Sequence, residues 1–272
     1  MQAAVVVPTY NEVENLPKLA ELLLALDPQV TVLCVDDGSP DGTGAVADEI
    51  AAREPRFNVM HRTGKRGYSI SSKEGMMWCL ERGFDMVCTM DADLSHDPDV
   101  LPRLIAAVEG GADLAIGSRY TDGGGIEVDW GPFRRAVSQS GSAYARTMIG
   151  SKTRDCTSGY RCYRAETLSL VPVMEIRSEG YSFLIEILAA FTDLHSKVVE
   201  VPITYVDRRH GSSKISNEVI FEALVRTTGV GLARITGERA KAAKAASDAR
   251  AARAEQGSSR TTEARSGSKV EG

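Results

Sequence analysis

Short apolar runs alternate with amphipathic stretches through the first half of the chain. Residues 3–7, 30–35, 57–62, 86–90 and 114–117 read as strands. The runs at 30–35 and 86–90 are apolar almost throughout, as expected of strands buried on both faces of a parallel sheet. Between them, residues 15–26, 41–53, 69–81 and 99–109 read as helices. Asn15 followed by Pro17 is a cap-then-proline start signal, and Asp97-Pro98 makes a turn ahead of the fourth helix. This rhythm predicts right-handed βαβ units and an α/β fold: an open, mostly parallel twisted sheet with helices on both faces.

Beyond Arg119 the rhythm breaks. Gly123-Gly124-Gly125 leads to Trp130 and a helix-like stretch over 133–149. Strand-like segments at 159–164 and 198–205 flank a helix near 183–190. A final amphipathic segment over 216–236 sets Val219, Ile220, Ala223, Leu224 and Val230 on one side, with Glu222 and Arg226 as an i,i+4 pair on the other. Residues 1–236 thus read as a single domain. From residue 237 to 272 the chain is rich in Ala, Arg, Ser, Gly and Glu and has no aromatic residue. That composition buries too little apolar surface to offset its ordering entropy, so this tail is expected to be disordered.

Composition narrows the classes. The 272 residues suffice for a full core in one domain plus an appendage. A net charge of −5 argues against a nucleic-acid partner. Five scattered cysteines, mostly inside apolar stretches, suit reduced thiols in a cytoplasmic protein, and the four histidines form no zinc spacing. The first strand follows the N-terminus with no basic leader or signal-peptide core. No run reaches the about 18 uncharged apolar residues of a membrane-spanning helix. The longest candidate, 219–235, is interrupted by Glu222, Arg226 and Arg234. The expectation is a soluble or peripheral protein.

The candidate chemistry lies at strand exits, where alternating β/α sheets place their ligands. Asp36-Asp37-Gly38-Ser39 follows the second strand, and Asp91-Ala92-Asp93 follows the fourth. Carboxylates at neighbouring strand ends repel unless a cation or a hydrogen-bonding ligand lies between them. A divalent metal holding a nucleotide diphosphate is the simplest such ligand. Pro8-Thr9-Tyr10-Asn11-Glu12 closes the first strand and suits a pocket for a base and ribose; a plain strand-to-helix turn is its bland alternative. Gly38 and Gly42 permit tight turning, and Asp41 is placed to cap the next helix.

These segments, together with Gly117-Ser118-Arg119-Tyr120, Thr157–Arg164 (TSGYRCYR) and Arg208–Lys214 (RRHGSSK), occur in an order and spacing that resembles the family-2 glycosyltransferases of GT-A fold. Among these, the dolichol-phosphate (polyprenol-phosphate) mannose synthases are most similar, and the resemblance covers roughly residues 5–235. It implies that Pro8, Tyr10, Glu12, Val35 and Asp37 hold the guanosine of GDP-mannose. It implies Asp91, Ala92 and Asp93 at the sugar diphosphate, with Mg²⁺ or Mn²⁺ on Asp91 and Asp93. Ser95 stands where the family often has a glutamine ligand, and the resemblance implies it as a third, poorer metal ligand acting through water. Arg119 would meet phosphate, Arg208 and Lys214 would clamp the donor diphosphate, and Arg134 and Ser138 would touch the acceptor lipid phosphate.

The implied reaction is an inverting transfer to polyprenyl phosphate. A phosphomonoester carries a charge of about −1.5 to −2 near neutral pH and needs no general base. Asp93, Arg119, Arg208 and Lys214 are therefore the candidate catalytic residues. Transfer from a UDP-sugar or to a soluble hydroxyl acceptor is the alternative; a hydroxyl needs a carboxylate base, for which Asp155 and Glu186 are the first candidates. A nucleotide-sugar-binding protein without turnover is the remaining class.

One segment departs from the family pattern. Gly64-Lys65-Arg66-Gly67-Tyr68-Ser69 has Tyr68 for the usual leucine and Ser69 for the second glycine, which bears on donor identity more than on reaction class. The resemblance is to the short type without C-terminal spanning helices. Such a chain reaches its lipid through surface helices, with 133–149 and 216–235 as candidates, or through a separate membrane-anchoring partner. The expected location is the cytoplasmic face of a membrane, as a peripheral protein.

Overall fold

The computed structural model describes residues 1–127, 132–206 and 217–236. Trp130, Arg208, Lys214 and the tail from 237 to 272 lie outside the described residues.

The first half follows the predicted rhythm. β1 (Ala3–Thr9), α1 (Leu16–Leu24), β2 (Thr31–Asp36), α2 (Thr43–Ala51), β3 (Phe57–His61), α3 (Tyr68–Glu81) and β4 (Met86–Thr89) come in order. A 3-10 turn (Pro98–Val100), α4 (Leu101–Glu109) and β5 (Leu114–Ser118) follow. Asn15 precedes α1 but does not cap it with its side chain; its amide turns back to donate to Glu12 Oε2 at 2.8 Å. Gly42, not Asp41, is the N-cap of α2, but Asp41 sits one residue before it and still satisfies the first helical amide. Its Oδ1 accepts from the Thr43 backbone N–H at 3.0 Å and from Thr43 Oγ1 at 2.6 Å, so α2 begins two residues later than read.

The second half holds β6 (Gly125–Glu127), α5 (Pro132–Ile149), β7 (Arg161–Arg164), α6 (Ala165–Leu168), a 3-10 turn (Val173–Glu175) and α7 (Gly180–Asp193). β8 (Val198–Pro202), β9 (Thr204–Val206) and α8 (Asn217–Ile235) complete it. The main sheet has the order β3-β2-β1-β4-β7-β5-β8, with β7 antiparallel to both neighbours and the other pairs parallel. The single strand expected over 198–205 is two. Pro202 ends β8 because it has no N–H to donate, and β9 crosses to pair with β6 in a separate small sheet.

Helices cover both faces, as predicted. Leu16, Leu19 and Leu23 of α1 and Leu101, Leu104 and Ile105 of α4 pack in one apolar core. Met76 of α3, Ile149 of α5 and Phe183, Ile187 and Leu188 of α7 pack in the other. Gly75 lets α3 lie against the sheet. A Cβ there would stand 2.3 Å from Val6 Cγ1 and 3.2 Å from Val35 Cγ2. This close approach brings the first turn of α3 to the exits of β1 and β2. α8 rests on α5 through small residues: Gly231 faces Met148, and Tyr144 Oη and Thr228 Oγ1 are 2.6 Å apart. Leu224, expected on the packing side with Val230, is instead 43% exposed, and Thr227 and Val230 turn inward.

Candidate active site

Consecutive backbone amides stitch the first two motifs together. Asn11 N–H donates to Ser39 Oγ (3.0 Å), Glu12 N–H to Thr43 Oγ1 (2.9 Å) and Val13 N–H to Asp41 Oδ2 (3.2 Å). Asn11 takes a left-handed φ of 61°, uncommon away from glycine, to make this turn. Asp36 closes the second loop on itself by accepting from Ser39 Oγ at 2.5 Å. Pro8 lies opposite Val35 in the β1–β2 register, and Val35 is wholly buried in the core beneath α3, so it can act on a ligand at this exit only from below.

The repulsion expected between the two carboxylate clusters is relieved from within. β1 lies between β2 and β4, so the clusters are one strand apart rather than adjacent. Asp37 is paired with the buried Arg62 guanidinium and also accepts the Gly67 N–H at 2.6 Å. Arg62 reaches on to Glu74 (2.8 Å) and Ser71 (3.2 Å). Arg66 lies over the Tyr10 ring, 4.9 Å from its centroid, donates to Tyr10 Oη at 2.9 Å and reaches the Gly38 carbonyl at 3.2 Å. Arg62 was not singled out from the sequence; a basic residue just past a strand facing an acidic exit was the available signal for it.

At the exit of β4, Asp93 is 3% exposed and its Oδ1 accepts from the Ser95 amide (3.0 Å) and Ser95 Oγ (2.6 Å). Leu94 takes a φ of 61° to bring Ser95 back onto that carboxylate. Ser95 is fully buried and directed at Asp93. It orients the carboxylate rather than offering an open ligand. Asp91 is half-buried, and its backbone N–H donates to His96 Nδ1 at 3.3 Å, leaving the proton of a neutral His96 ring on Nε2. Ala92, between them, is 4% exposed.

Tyr68 enters from the first turn of α3. A Cβ on Gly159 would stand 2.7 Å from Tyr68 Oη and 3.5 Å from Asp91 Oδ1, so the phenol and the carboxylate share one small space against Gly159. Burial, and then the Asp91 charge, push the Tyr68 phenol well above its ordinary value.

An aromatic wall links this loop to Arg119. His96 stacks on Tyr160 with centroids 4.9 Å apart and meets the Tyr205 edge at 6.2 Å. Arg119 lies 5.7 Å from the Tyr205 centroid and 5.3 Å from that of Tyr120. Arg119 is anchored on Asp155, with Nε–Oδ2 at 2.7 Å, Nη2–Oδ1 at 2.8 Å and the backbone N–H to Oδ2 at 3.1 Å. Burial alone would raise the Asp155 carboxyl. The Arg119 charge and the hydrogen bonds outweigh it and hold the group below the usual carboxylate range. Glu200 of β8 accepts the Arg154 and Asp155 amides at 2.9 and 3.0 Å and fixes that loop in turn.

The structure thus links the Asp91–Asp93 loop to Arg119 through His96 and Tyr205, with Tyr10, Glu12 and Asp37 one strand away, and these residues mark the candidate cleft. Ser138 joins them through Tyr120, whose Oη is 2.7 Å from Ser138 Oγ, and position 134 falls one turn earlier on α5. The two candidate bases do not serve that role. Asp155 is committed to Arg119, and Glu186 accepts from Ser178 Oγ at 2.6 Å and lines a separate groove of about 630 Å³ between α7, α8 and residues 170–178. His96, Tyr160, Tyr205 and Glu200 are further parts of the site that sequence reasoning left unassigned; His96 and Tyr160 stood inside quoted motifs.

A metal fits this donor set. Among the described residues no group of three or more His, Cys, Asp or Glu converges on one point. Two loop carboxylates, Asp91 and Asp93, would nevertheless suit a magnesium-type ion, which is commonly bound through one or two carboxylates together with substrate phosphates.

A doubly covered, mostly parallel sheet with a paired-carboxylate loop at a strand exit and an anchored arginine joined to it through an aromatic wall defines a GT-A glycosyltransferase. The chain belongs to glycosyl transferase family 2, whose family model matches residues 4–170. It is 46% identical over 242 residues to the undecaprenyl-phosphate mannosyltransferase of Micrococcus luteus, covering 89% of this chain and 99% of that one. It is 46% identical over 230 residues to the polyprenol monophosphomannose synthase of Mycolicibacterium smegmatis, covering 84% and 86%. The fold also matches the crystal structure of glucosyl-3-phosphoglycerate synthase from Mycobacterium tuberculosis in complex with Mn²⁺, UDP-glucose and phosphoglyceric acid. That match has a TM-score of 0.61 at 19% identity and covers 83% of this chain and 79% of that one.

Proposed function

We propose that this protein transfers mannose from GDP-mannose to polyprenyl phosphate, inverting the anomeric centre. The observation that carries the reading is Arg119, pinned by Asp155 and joined through Tyr205 and His96 to the Asp91–Asp93 loop. An oriented cation linked to a pair of carboxylates supports a reading in which two anionic substrates are joined there. The 46% identity to two mannosyltransferases of lipid phosphates supports the choice of sugar and acceptor.

The stitched loops carrying Pro8, Tyr10, Glu12 and Asp37, over the floor at Val35, receive the guanosine. Asp91 and Asp93 hold a divalent cation, Mg²⁺ or Mn²⁺, which when bound neutralises charge on the leaving diphosphate. Arg208 and Lys214 are assigned to the same diphosphate on sequence alone. Arg119 meets the acceptor phosphate, with Arg134 and Ser138 beside it. The acceptor oxygen is already ionised, so the commitment of Asp155 to Arg119 removes no necessary base.

The protein reaches its lipid as a peripheral protein on the cytoplasmic face of a membrane. No helix among the described residues is long and apolar enough to cross one. Val137 on α5 and Leu224, Val225 and Leu232 on α8 are exposed apolar residues on the two helices that pack together. The five free, buried cysteines suit a reducing compartment.

The test is a radiolabel transfer assay with purified protein, Mg²⁺ or Mn²⁺, and polyprenyl phosphate, offered GDP-mannose, UDP-glucose and UDP-N-acetylglucosamine in parallel. Mild-acid-labile lipid product from GDP-mannose alone is expected. Product from a UDP-sugar instead would reassign the donor, and no lipid product from any of them would overturn the acceptor.

A further inference from the structure

Ser69 and Lys73 lie one turn apart on the same face of α3, 3% and 8% exposed, and both line a cavity of about 290 Å³. Lys65, Arg66 and Arg177 line the same cavity, with Glu179 as its one carboxylate. The buried Lys73 ammonium donates to the Ile176 carbonyl at 2.9 Å, and among the described residues no carboxylate comes within ion-pair distance of it. The nearest acidic groups are engaged elsewhere: Glu179 with Lys65 (2.5 Å), Glu74 with Arg62 (2.8 Å) and Glu186 with Ser178 (2.6 Å). The Ser69 hydroxyl has no hydrogen-bond partner among the described residues. A cation with one carbonyl for company and a hydroxyl with none, both opening onto the cavity, leave donors available to a ligand.

We propose that this cavity binds a phosphate-type oxyanion, held by Lys73, Ser69 and the rim cations Lys65 and Arg177. It is a different place from the cleft described above. Successive helix residues turn by about 100°, so Tyr68 enters the Asp91 side of α3 while Ser69 faces residues 174–179. The two places share the 62–67 loop, which supplies Arg62 and Gly67 to Asp37 and Arg66 to Tyr10. Anion binding therefore steadies the loop that closes the nucleotide pocket, and by linkage a bound nucleotide tightens the anion.

The test is calorimetric titration of the full chain with inorganic phosphate and, in a second arm, with glycerol 3-phosphate, each with and without saturating GDP and Mg²⁺. Binding that tightens with GDP present and weakens at least tenfold in Lys73→Met is expected. Tighter binding of the ester than of free phosphate would assign an organophosphate, and the reverse order the free ion. Should Lys73→Met fail to fold, the exposed rim variant Lys65→Ala/Arg177→Ala carries the test, with a loss of several-fold expected. Unchanged affinity in whichever variant folds, full displacement by GDP, or no binding in either arm would overturn the proposal. Displacement by GDP would place the anion in the donor cleft and leave the proposed transfer reaction untouched.

Discussion

Asp155 grips Arg119 with both carboxylate oxygens, at 2.7 and 2.8 Å, and is itself wholly buried. A fork-on-fork pair of this kind fixes the plane of the guanidinium as well as its place. On the proposed reading, Asp155 acts on transfer through Arg119.

Asp155→Asn keeps the shape and removes the charge. Breaking one side of a buried ion pair costs about 3–5 kcal/mol, since the other charge is left uncompensated. Misplacing a positioned group costs on the order of 10²-fold in rate. The expected result is a kcat lowered by about that factor with the KM for the donor little changed, since the nucleotide loops lie one strand away. A variant that loses stability but keeps its kcat would reduce Asp155 to a structural role.

The same pair sets a pH dependence. The folded pKa of Asp155 lies below the unfolded value of about 4. As pH falls, the unfolded chain takes up this proton first, so stability declines with it. The contribution is fully present above about pH 4 and is lost as pH drops through the folded pKa. Urea midpoints measured from pH 7 to pH 2 should fall more steeply for the native protein than for Asp155→Asn. Parallel curves would show that Arg119 does not hold the carboxyl down.

Ser95 gives a separate test of the metal assignment. It orients Asp93 through two hydrogen bonds to one oxygen, at 2.6 and 3.0 Å. Groups behind a metal ligand commonly change metal affinity about 10–100-fold. Ser95→Ala should therefore shift the Mn²⁺ concentration that half-activates transfer upward by about tenfold, with the rate at saturating metal nearly preserved. Asp93→Asn should abolish activation. Full activity in the presence of a chelator would remove the metal from the reaction.

Much of this arrangement was legible before any coordinates. The apolar runs before Asp36 and Asp91 marked two strand exits, and the Pro17 and Asp41 signals marked helix starts. What escaped was held by partners far apart in the chain. β7 reads as strand-like within 159–164, but its place as an antiparallel strand between β4 and β5 does not show, because its first residue, Arg161, is wholly buried and donates to the Ser158, Cys156 and Leu184 carbonyls at 2.8–2.9 Å. A charge at the heart of a core strand gives no apolar period from which to read such burial. Tyr205 looked like a strand residue because its neighbours His96 and Arg119 lie roughly a hundred positions away. Arg62 and Asp37 show the same limit: each was visible, but the pair was not.

The departure at Tyr68 turns out to sit against the metal loop, and this allows a test by suppression. Gly159 has room for no side chain, because a Cβ there would come within 2.7 Å of Tyr68 Oη, whereas the ring carbon behind it is 3.7 Å away. Overpacking of this kind costs about 1–3 kcal/mol, and here the displaced group lies beside Asp91. Gly159→Ala should therefore lower the transfer rate by about tenfold or more and weaken metal activation. Tyr68→Phe removes the one atom in conflict and leaves the ring in place. The double variant should recover most of the lost rate, while Tyr68→Phe alone should stay close to the native protein in metal response. If the double variant is as impaired as Gly159→Ala, the obstruction is not the phenol oxygen. Asp91 would then be disturbed through the backbone of the Thr157–Arg161 turn instead.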